Sequence, residues 1–554
     1  MNSQSKQQMQ PQTVFGTQPC LAGALALVAA VSLAAAGKES SSRPLPENVD
    51  YRHIHRKPAE WLFHGEPAKA ADWCARFLKA NPKDAEGWYF YAGALADLGR
   101  IDEAMEAVKR AEALGLPLAR FIAGPREVFR PLIDSKAFRA RAAGKPIRLV
   151  HGPLLGDVTD RSARIWVRTA KAARVSVLAR PEGKTAAPAR AFAVSSPETD
   201  YTAVAMLRGL APRTSYRYVV EIGGEGGELP VASGRFATRP PPGEPTKVRF
   251  AFGGGAAYKP DKERMWSVIL SHRPDAFLFL GDNVYIDAPR DPAYQRYKYY
   301  RRQSRPEFRA FTALVPIYAI YDDHDFGVND CSGGPDVDRP AWKRRAWRVF
   351  AQNWANPSYG GGEARPGCWF RFQIGDVEFF LIDGRYYRTD PKKTSEAERS
   401  MLGPAQKRWL LEGLRRSRAR IKVLASDVPW ARGTKPGSLD TWDGFARERA
   451  EIFRFLAEHK IGGVILLSAD RHRHDIWRVQ WPGSYPLYEF ESSKLTNVHT
   501  HPRMKRALFS WNGNGFGLFD IDTTQPDPLI RYRIVSIDNK IVHEFSLRLS
   551  KLTP

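Results

Sequence analysis

Acidic, imidazole and guanidinium side chains directly follow several apolar segments in the second half of the chain. These motifs are Gly281-Asp282-Asn283-Val284-Tyr285, Asp322-Asp323-His324-Asp325, Asp383-Gly384-Arg385-Tyr386-Tyr387-Arg388, Ser426-Asp427 and Ala469-Asp470-Arg471-His472. Carboxylates that converge repel one another and raise each other's pKa unless cations neutralise them. Carboxylates combined with imidazole groups suit hard or borderline metal ions. The set therefore predicts a two-metal hydrolytic site.

Taken one at a time, these motifs have ordinary structural interpretations. A Gly-Asp pair after a strand is commonly a turn, and Asp322 or Asp325 is suited to cap a helix. Taken alone, His472 is typical of a hydrogen-bonded interior histidine. Because it lies two residues after Asp470 at the end of a strand, it can also face the same cleft as Asp470. His474, two residues further along, faces the same side of the chain and is a weaker candidate for a site residue. Only the combination of motifs predicts a site.

Two further features are open to a phosphate-binding interpretation. Arg385 and Arg388 are either a solvated charge pair or, beside acids and metal ions, a fork for phosphate oxygens. The sequence Gly253-Gly254-Gly255, after an earlier apolar segment, is either a tight turn or a source of backbone N–H groups for phosphate.

The apolar segments before these motifs have the length and composition of buried β-strands. They are residues 248–252, 276–280, 315–321, 377–382, 421–425 and 463–468. Helical patterns lie between several of them, at residues 263–270, 403–414 and 446–458, which indicates α/β layers. Residues 516–521 and 529–547 add strands, so we expect mixed sheets. In open α/β sheets, ligands bind beyond the carboxyl ends of the strands, where these motifs lie.

Residues 148–239 instead show short alternating segments separated by Gly, Pro and Asp turns, which indicates a β-sandwich. Within them, residues 207–218 resemble the penultimate-strand region of a fibronectin type III module. The proline-rich residues 239–245 then predict a stiff linker.

Residues 50–140 show the apolar periodicity of helices. Two similar hexamers begin at Gly65 and Gly99, an offset of 34 residues that matches the tetratricopeptide period. The pattern predicts helices over residues 85–98 and 101–114, with a turn at Gly99. About one and a half repeats are too few to bury their own faces. The segment therefore either packs against the rest of the chain or binds a partner.

Residues 1–36 have the features of an export signal, because a polar start precedes an apolar run that ends in Ala34-x-Ala36. The apolar run, residues 21–36, is shorter than the roughly 20 residues that span a bilayer, and an uncleaved anchor is the alternative. We predict an exported protein, periplasmic or extracellular, with no transmembrane domain after signal removal.

The four cysteines are too few for a disulfide framework. We predict a bond between Cys331 and Cys368, which both adjoin glycine-rich loops, and a reduced Cys74 in its helix. A Cα separation above about 7 Å would forbid the bond.

The composition is that of a folded protein, with 43% hydrophobic and 26% charged residues among 554. Lys and Arg outnumber Asp and Glu by 84 to 60, which gives a net charge of +24. This charge would attract phosphate esters, acidic polymers or an anionic surface. Specific nucleic-acid recognition is not expected, because the basic residues are dispersed and the chain carries an export signal.

The order and spacing of the motifs resemble the alkaline phosphatase D family of calcineurin-like metallophosphatases. The residues that carry the resemblance are Gly281-Asp282-x-x-Tyr285, Tyr321-Asp322-Asp323-His324-Asp325, Asp383-x-Arg385-x-x-Arg388, Leu402-Gly403-x-x-Gln406-x-x-Trp409-Leu410, Asp440-x-Trp442-Asp443-Gly444-Phe445 and Ser468-Ala469-Asp470-x-His472. The resemblance covers roughly residues 149–547. It implies a β-sandwich followed by a layered α/β/β/α catalytic domain, which we place at residues 247–550. The tetratricopeptide-like segment is an addition to that pattern.

The resemblance also implies roles for single residues. Asp282 would bridge two metal sites, and Tyr285 would be a tyrosinate ligand. The remaining ligands would be Asp323, Asp470 and His472. Family members use iron together with calcium, so these are the implied metal ions.

By the same resemblance, His324 would be the acid beside the leaving group, with Arg385 and Arg388 as phosphate-binding cations. The family usually has a cysteine ligand after its first strand, where this chain has Gly253-Gly254-Gly255. The thiolate is therefore missing, which weakens the case for iron, and water or substrate would take its place. A second departure, Ala469 in place of the usual glycine, is minor.

We therefore expect an exported metal-dependent phosphoesterase acting on phosphate mono- or diesters. Two cations would polarise the phosphoryl group, a metal-bound hydroxide would attack in line, and His324 would protonate the leaving oxygen. The alternative is a non-catalytic binding protein for acidic polymers with a degenerate metal site. The missing cysteine favours the alternative, and the intact remaining ligand set favours the enzyme.

Overall fold

The computed structural model describes residues 50–144, 147–183 and 188–554. The predicted export signal at residues 1–36 lies outside the described residues. Within these ranges, no helix combines the length and the apolar character needed to cross a membrane.

The described residues before 145 are helical. The helices are α1 (Arg56–Phe63), α2 (Pro67–Ala80), α3 (Ala85–Asp97), α4 (Ile101–Ala113), α5 (Ala119–Ala123), α6 (Arg126–Ile133) and α7 (Lys136–Ala143). The predicted helices at 85–98 and 101–114 are confirmed as α3 and α4. Gly99 between them has a φ of +77°, which a glycine adopts without strain. Kinship with tetratricopeptide repeats stays a prediction.

A β-sandwich follows the helices, as predicted. Its strands are β1 (Leu149–Gly156), β2 (Ser162–Thr169), β3 (Ala173–Pro181), β4 (Ala189–Ser195), β5 (Thr202–Arg208), β6 (Ser215–Ile222) and β7 (Leu229–Ala237). They form one sheet in the order β1-β2-β5 and another in the order β4-β3-β6-β7. Both sheets contribute to one apolar cluster, with Ile165 from the first and Val177 from the second. The relation to fibronectin type III modules stays a prediction.

The rest of the chain is built on two larger sheets. Their strands are β8 (Lys247–Gly253), β9 (Ala276–Leu280), β10 (Ile317–Ile320), β11 (Phe370–Ile374), β12 (Val377–Leu381), β13 (Ile421–Ala425), β14 (Val464–Ser468), β15 (His474–Val479), β16 (Leu487–Ser492), β17 (Phe509–Trp511), β18 (Gly515–Asp522), β19 (Leu529–Ser536) and β20 (Ile541–Arg548). The strand orders are β10-β9-β8-β18-β19-β20 and β11-β12-β13-β14-β16-β15-β17. Both sheets mix parallel and antiparallel neighbours, as predicted.

Seven helices accompany these sheets within the described residues. They are α8 (Met265–Ser271), α9 (Pro292–Gln303), α10 (Pro306–Thr312), α11 (Asp323–Phe326), α12 (Trp342–Gln352), α13 (Gly403–Arg416) and α14 (Ala446–Glu458). The α/β layering predicted from the sequence is therefore present.

The two sheets pack face to face, with helices outside them. Phe250 in β8 and Phe379 in β12 are in contact, with ring centroids 5.0 Å apart. The next residue, Phe380, points to the other face of its sheet and contacts Trp409 in α13, at 6.1 Å between centroids. Helices α8 and α10 cover the outer face of the first sheet. This is the predicted α/β/β/α order of layers.

The two sheets meet at the edge where their parallel strands end. Gly254, directly after β8, forms an isolated parallel bridge with Ser493, directly after β16. Strands β8, β9 and β10 run parallel to one another, as do β12, β13, β14 and β16. The polar motifs that follow these strands are therefore gathered at one end of the domain.

The N-terminal helices pack against α9. The Tyr297 hydroxyl donates a hydrogen bond to Glu86 Oε2 at 2.9 Å. The Arg120 guanidinium lies 4.2 Å from the centroid of the Tyr89 ring and 3.5 Å from the Glu86 carboxylate. Of the two roles predicted for this segment, the structure shows the packing role.

The predicted Cys331–Cys368 disulfide is wrong. Cys74, Cys331 and Cys368 are all free thiols. The Cys331 sulfur lies 3.8 Å from the carbonyl oxygen of Asp323, whereas the main-chain N–H of Cys368 donates to Asp383 at 2.8 Å. The two cysteines therefore have different partners and are not bonded to each other.

Candidate active site

Asp282 and Tyr285 lie in the turn that follows β9. Their φ angles are +53° and +52°, a left-handed conformation that costs free energy in residues other than glycine. The Asp325 carboxylate stabilises this turn by accepting hydrogen bonds from the main-chain N–H groups of Asn283 and Val284, at 2.8 and 2.9 Å. A buried carboxylate on the neighbouring strand connection therefore sets the geometry of the turn.

The Asp282 carboxylate is buried beside a phenol and an imidazole. Only 1% of Asp282 is exposed, and neither carboxylate oxygen accepts a hydrogen bond of normal geometry from the described residues. Burial raises the pKa of Asp282. His472 Nε2 lies 3.7 Å from Asp282 Oδ2 and 2.8 Å from the Tyr285 hydroxyl. This is a donor set that suits a cation, since a buried carboxylate without partners is costly.

Asp323 and His324 begin α11, directly after β10. Asp323 accepts hydrogen bonds from the main-chain N–H groups of His324 and Asp330, at 2.9 and 2.6 Å. His324 Nδ1 lies 2.5 Å from Asp287 Oδ1. Burial lowers the pKa of His324, but the surrounding carboxylates, led by Asp282, outweigh burial and raise it to about 10. The imidazolium form of His324 is therefore the stable one in this arrangement.

Asp470 and His472 reach the same place from β14 of the other sheet. Lys435 Nζ lies 4.0 Å from Asp470 and 2.8 Å from Asp330. Burial raises the pKa of Asp470, but Lys435 and Arg471 outweigh it, so the pKa is lowered. Burial lowers the pKa of His472 to about 3. His472 is thus a neutral imidazole, the form that binds metal ions.

A cavity of about 550 Å³ opens beside these groups, and His324, Asp470 and His472 are part of its wall. Tyr285 lies next to it, with its ring centroid 4.8 Å from that of His324. Oxygen atoms of Asp282 and Asp323 lie within 4.8 Å of each other and of a ring nitrogen of His324. A larger cavity of about 900 Å³, between the sandwich and the catalytic layers, contains none of these groups. The structure therefore brings together all five predicted metal ligands and the predicted acid.

Arg385 and Arg388 are placed differently from the prediction. The buried Arg385 guanidinium contacts three carboxylates, those of Asp322 at 2.6 Å, Asp440 at 2.7 Å and Asp427 at 3.3 Å. Arg388 Nη2 lies 2.7 Å from Asp440. Neither arginine lines the 550 Å³ cavity. The geometry supports neutralisation of buried carboxylates and does not support the predicted phosphate fork.

His474 lies apart from the other candidates. Its Nδ1 atom is 3.1 Å from the Ser492 hydroxyl, and its ring packs on Trp511 with centroids 5.2 Å apart. It is fully buried, and burial lowers its pKa to about 3. This placement matches the interior-histidine interpretation.

The triple glycine is a point of close backbone approach. The Gly254 N–H donates to the Ser492 carbonyl at 3.0 Å, and the Gly255 N–H donates to another main-chain oxygen at 3.4 Å. A Cβ atom on Gly254 would lie 2.7 Å from that of Ala469, and one on Gly255 would lie 3.3 Å from His472 Cδ2. The N–H groups of Gly254 and Gly255 are therefore used inside the protein, as in the tight-turn interpretation.

Three residues beside the site were missed by the sequence analysis. Asn497 Nδ2 lies 2.5 Å from the Tyr285 hydroxyl and 3.2 Å from His472 Nε2. One ring nitrogen each of His472, His499 and His501 lies within 4.8 Å of the others. The only signal in the sequence was the pair of histidines at His499 and His501, which lies outside any apolar pattern. Nothing in the sequence indicates that this pair approaches His472.

Comparisons with known proteins agree with this geometry. Residues 250–510 match the family described as PhoD-like phosphatase. This part of the chain is therefore similar to PhoD-like phosphatases. The resemblance inferred from the motifs is thereby confirmed for the catalytic domain. Residues 146–238, before the PhoD-like domain, match a separate family described as a domain of unknown function, DUF7800.

Two individual proteins extend the comparison beyond the PhoD-like domain. The chain is 24% identical to alkaline phosphatase D of Bacillus subtilis (strain 168) over 410 residues, which is 66% of this chain and 66% of that relative. A solved structure of PhoD matches with a TM-score of 0.60 at 19% identity, covering 73% of this chain and 90% of the other. The chain thus spans about two thirds of its curated relative and shares the fold of the solved structure.

Proposed function

We propose that the protein is an exported, metal-dependent phosphoesterase that hydrolyses phosphate monoesters or diesters in the 550 Å³ cavity. The observation that carries this proposal is the Asp282 carboxylate, which is buried while neither oxygen accepts a hydrogen bond of normal geometry from the described residues. A bound cation offsets the cost of such a group. The PhoD-like domain supports phosphate esters as the substrate class.

The donor set fits two or more metal ions. Asp282, Tyr285, Asp323, Asp470 and His472 would hold these ions. Phenol and imidazole ligands suit iron or another borderline ion, whereas carboxylates suit calcium. Calcium with iron remains the implied pair, although this chain offers no thiolate where the family usually has one.

When bound, these ions would polarise the phosphoryl group and activate the attacking water. The protein's own acid would be His324, whose ring is oriented by the contact between Nδ1 and the Asp287 carboxylate at 2.5 Å. That contact leaves Nε2 to give its proton to the departing oxygen. Arg385 would act indirectly, by neutralising the carboxylates behind the Asp323 loop.

The other function considered from the sequence, a non-catalytic binding protein for acidic polymers, has no support in these comparisons. Its main argument was the missing cysteine, and the remaining donors are all gathered at one cavity. We therefore do not propose it.

The test is hydrolysis by the full chain without its export signal, purified in the absence of chelators. Elemental analysis should find metal bound in at least stoichiometric amount, and a panel of phosphate monoesters and diesters should be hydrolysed. Stripping the metal should abolish hydrolysis, and adding calcium and iron should restore it. Unchanged turnover in the stripped protein, or no hydrolysis by the metal-loaded protein, would contradict the proposal.

A further inference from the structure

We propose that the N-terminal helical segment supplies an anion-binding subsite to the active site, with Arg52 as its principal residue. The ligand class is a phosphate ester that carries a second phosphate group. This inference rests on the proposed function, because the first phosphate would bind beside Asp282.

The active-site cavity is lined by residues from two distant parts of the chain. Arg52, His53 and Arg56 line it together with His324 and His472. The first three residues lie outside the region matched by the PhoD-like family, which begins at residue 250. The helical segment therefore forms part of the wall of the cavity and does more than pack against the domain.

The Arg52 guanidinium is close to the turn that holds Asp282 and Tyr285, and among the described residues no carboxylate lies within ion-pair distance of it. Its Cζ atom lies 5.6 Å from the centroid of the Tyr285 ring, and its Nε atom donates a hydrogen bond to His53 Nε2 at 2.8 Å. The Nη1 and Nη2 atoms remain available. A guanidinium group with free donors suits phosphate oxygens by both charge and shape.

The other strongly basic side chains of the cavity wall already have acidic partners. These pairs are Arg56–Glu60 at 2.8 Å, Lys435–Asp330 at 2.8 Å and Arg471–Asp470 at 3.5 Å. Among the described residues of the cavity wall, Arg52 is therefore the arginine whose charge is not paired with an acid and can attract an anionic ligand.

The main chain around Arg52 is anchored to α9. Lys298 Nζ donates a hydrogen bond to the Arg52 carbonyl at 2.9 Å, and Arg301 Nη1 donates one to the Tyr51 carbonyl at 3.1 Å. Both donors are buried, with 2% of each residue exposed. Such contacts are difficult to break, because a buried cation that loses its acceptor is costly. The position of Arg52 relative to Tyr285 is thus a property of the folded molecule.

The size of the cavity agrees with a ligand larger than a simple phosphate. Its volume of about 550 Å³ lies within the range of roughly 300 to 1,000 Å³ typical of small-molecule sites. The Arg52 guanidinium, with its Nη atoms free, would be the partner of a second phosphate group in this volume. A bisphosphorylated sugar would place one phosphate at the metal ligands and the other at Arg52.

The experiment compares wild type with Arg52→Ala, using the metal-loaded full chain without its export signal. Fructose 1,6-bisphosphate and fructose 6-phosphate serve as competitors of nitrophenyl phosphate hydrolysis. We expect Arg52→Ala to raise the inhibition constant of the bisphosphate about tenfold and that of the monophosphate less than about twofold, because one charge-assisted contact is lost. Arg52→Lys should recover part of the difference. The matched control is Arg100→Ala, in the same segment but paired with Glu103, which should change neither constant.

The outcomes separate this inference from the proposed function. Equal changes in both inhibition constants, or no change in either, would overturn the subsite while leaving hydrolysis by the wild type intact. Failure of the wild type to hydrolyse nitrophenyl phosphate would count against the proposed function instead. Calorimetric titration of the two sugars into wild type and Arg52→Ala would then test the subsite. The variant should lose about tenfold in affinity for the bisphosphate and less than about twofold for the monophosphate.

Discussion

Asp282 is a buried carboxylate on strained backbone, with a φ of +53° and neither oxygen accepting a hydrogen bond of normal geometry from the described residues. Strain and an unsatisfied charge are both unfavourable for folding, so a residue that combines them is a strong candidate for function. Its neighbours, Tyr285 and His472, offer donors of a different kind to the same point. We therefore expect the chemistry of the site to depend most on Asp282.

We predict that Asp282→Asn removes most of the bound metal and lowers hydrolysis at least about 100-fold, because the carboxylate shared by two ions is lost. Elemental analysis and steady-state kinetics on the same preparation would measure both effects. His474→Ala is the matched control, since this buried residue lies outside the site and should retain metal. Normal metal content and turnover in Asp282→Asn would refute the site assignment.

His324→Ala should slow hydrolysis about 10²- to 10⁴-fold for an alkyl phosphate ester, because that leaving group needs a proton. A nitrophenyl ester has a much less basic leaving group, so its rate should fall far less. The metal content should stay near normal. Equal losses on both esters with metal still bound would rule out the acid role of His324 and leave a positioning one.

At the scale of elements, the connection after β10 supports the turn after β9. The Asp325 carboxylate accepts two main-chain N–H groups from that turn, at 2.8 and 2.9 Å. Because β9 and β10 are parallel neighbours, the two connections emerge side by side. Asp325 thus acts through the conformation of Asp282 and Tyr285, as a positioning residue.

Asp325→Ala should therefore lower the free energy of unfolding by about 3 kcal/mol, because two buried N–H groups lose their acceptor. It should also lower metal affinity, since the turn is no longer held. Thermal unfolding and metal titration would measure these effects. Asp291→Ala is a matched control, because Asp291 caps α9 through the Tyr294 N–H at 3.0 Å and does not contact the turn. Unchanged metal affinity in Asp325→Ala would show that the turn does not need this support.

At the scale of the whole molecule, the proposed metal ligands come from both large sheets. Asp282 and Asp323 follow β9 and β10 of one sheet, and Asp470 and His472 follow β14 of the other. A cation bound between them would tie the two sheets together at one edge. Metal binding should therefore stabilise the entire catalytic domain.

Removing metal with a chelator should lower the unfolding temperature by several degrees. A ligand present at 100 times its dissociation constant stabilises the folded state by about 2.7 kcal/mol. Differential scanning calorimetry before and after chelation, and after metal is restored, would measure the shift. The Asp282→Asn variant should show little response to the chelator. An equal shift in that variant would place the stabilising metal elsewhere.

Much of the fold was predictable from local patterns. The segment at residues 276–280 was predicted as a strand and is β9, because a short apolar run bounded by turn residues is typical of a buried strand. The turn at Gly99 was located by the helical periodicity on either side of it and by the 34-residue offset. The polar motifs were predicted to converge because parallel strands place the residues that follow them at one edge. The choice of Asp282, Tyr285, Asp323, Asp470 and His472 as ligands came from the family resemblance.

By itself, the sequence predicted a set of candidate site residues and the strand ends at which they lie. Only the tertiary structure decided their partners. Arg385 was predicted to bind phosphate, yet Asp322 and Asp440, from distant parts of the chain, take its donors. Arg52, more than 200 residues before Tyr285, enters the cavity wall instead. Hydrogen bonds and ion pairs depend on distances in space, and no local pattern of residues encodes contacts between segments so far apart in the chain.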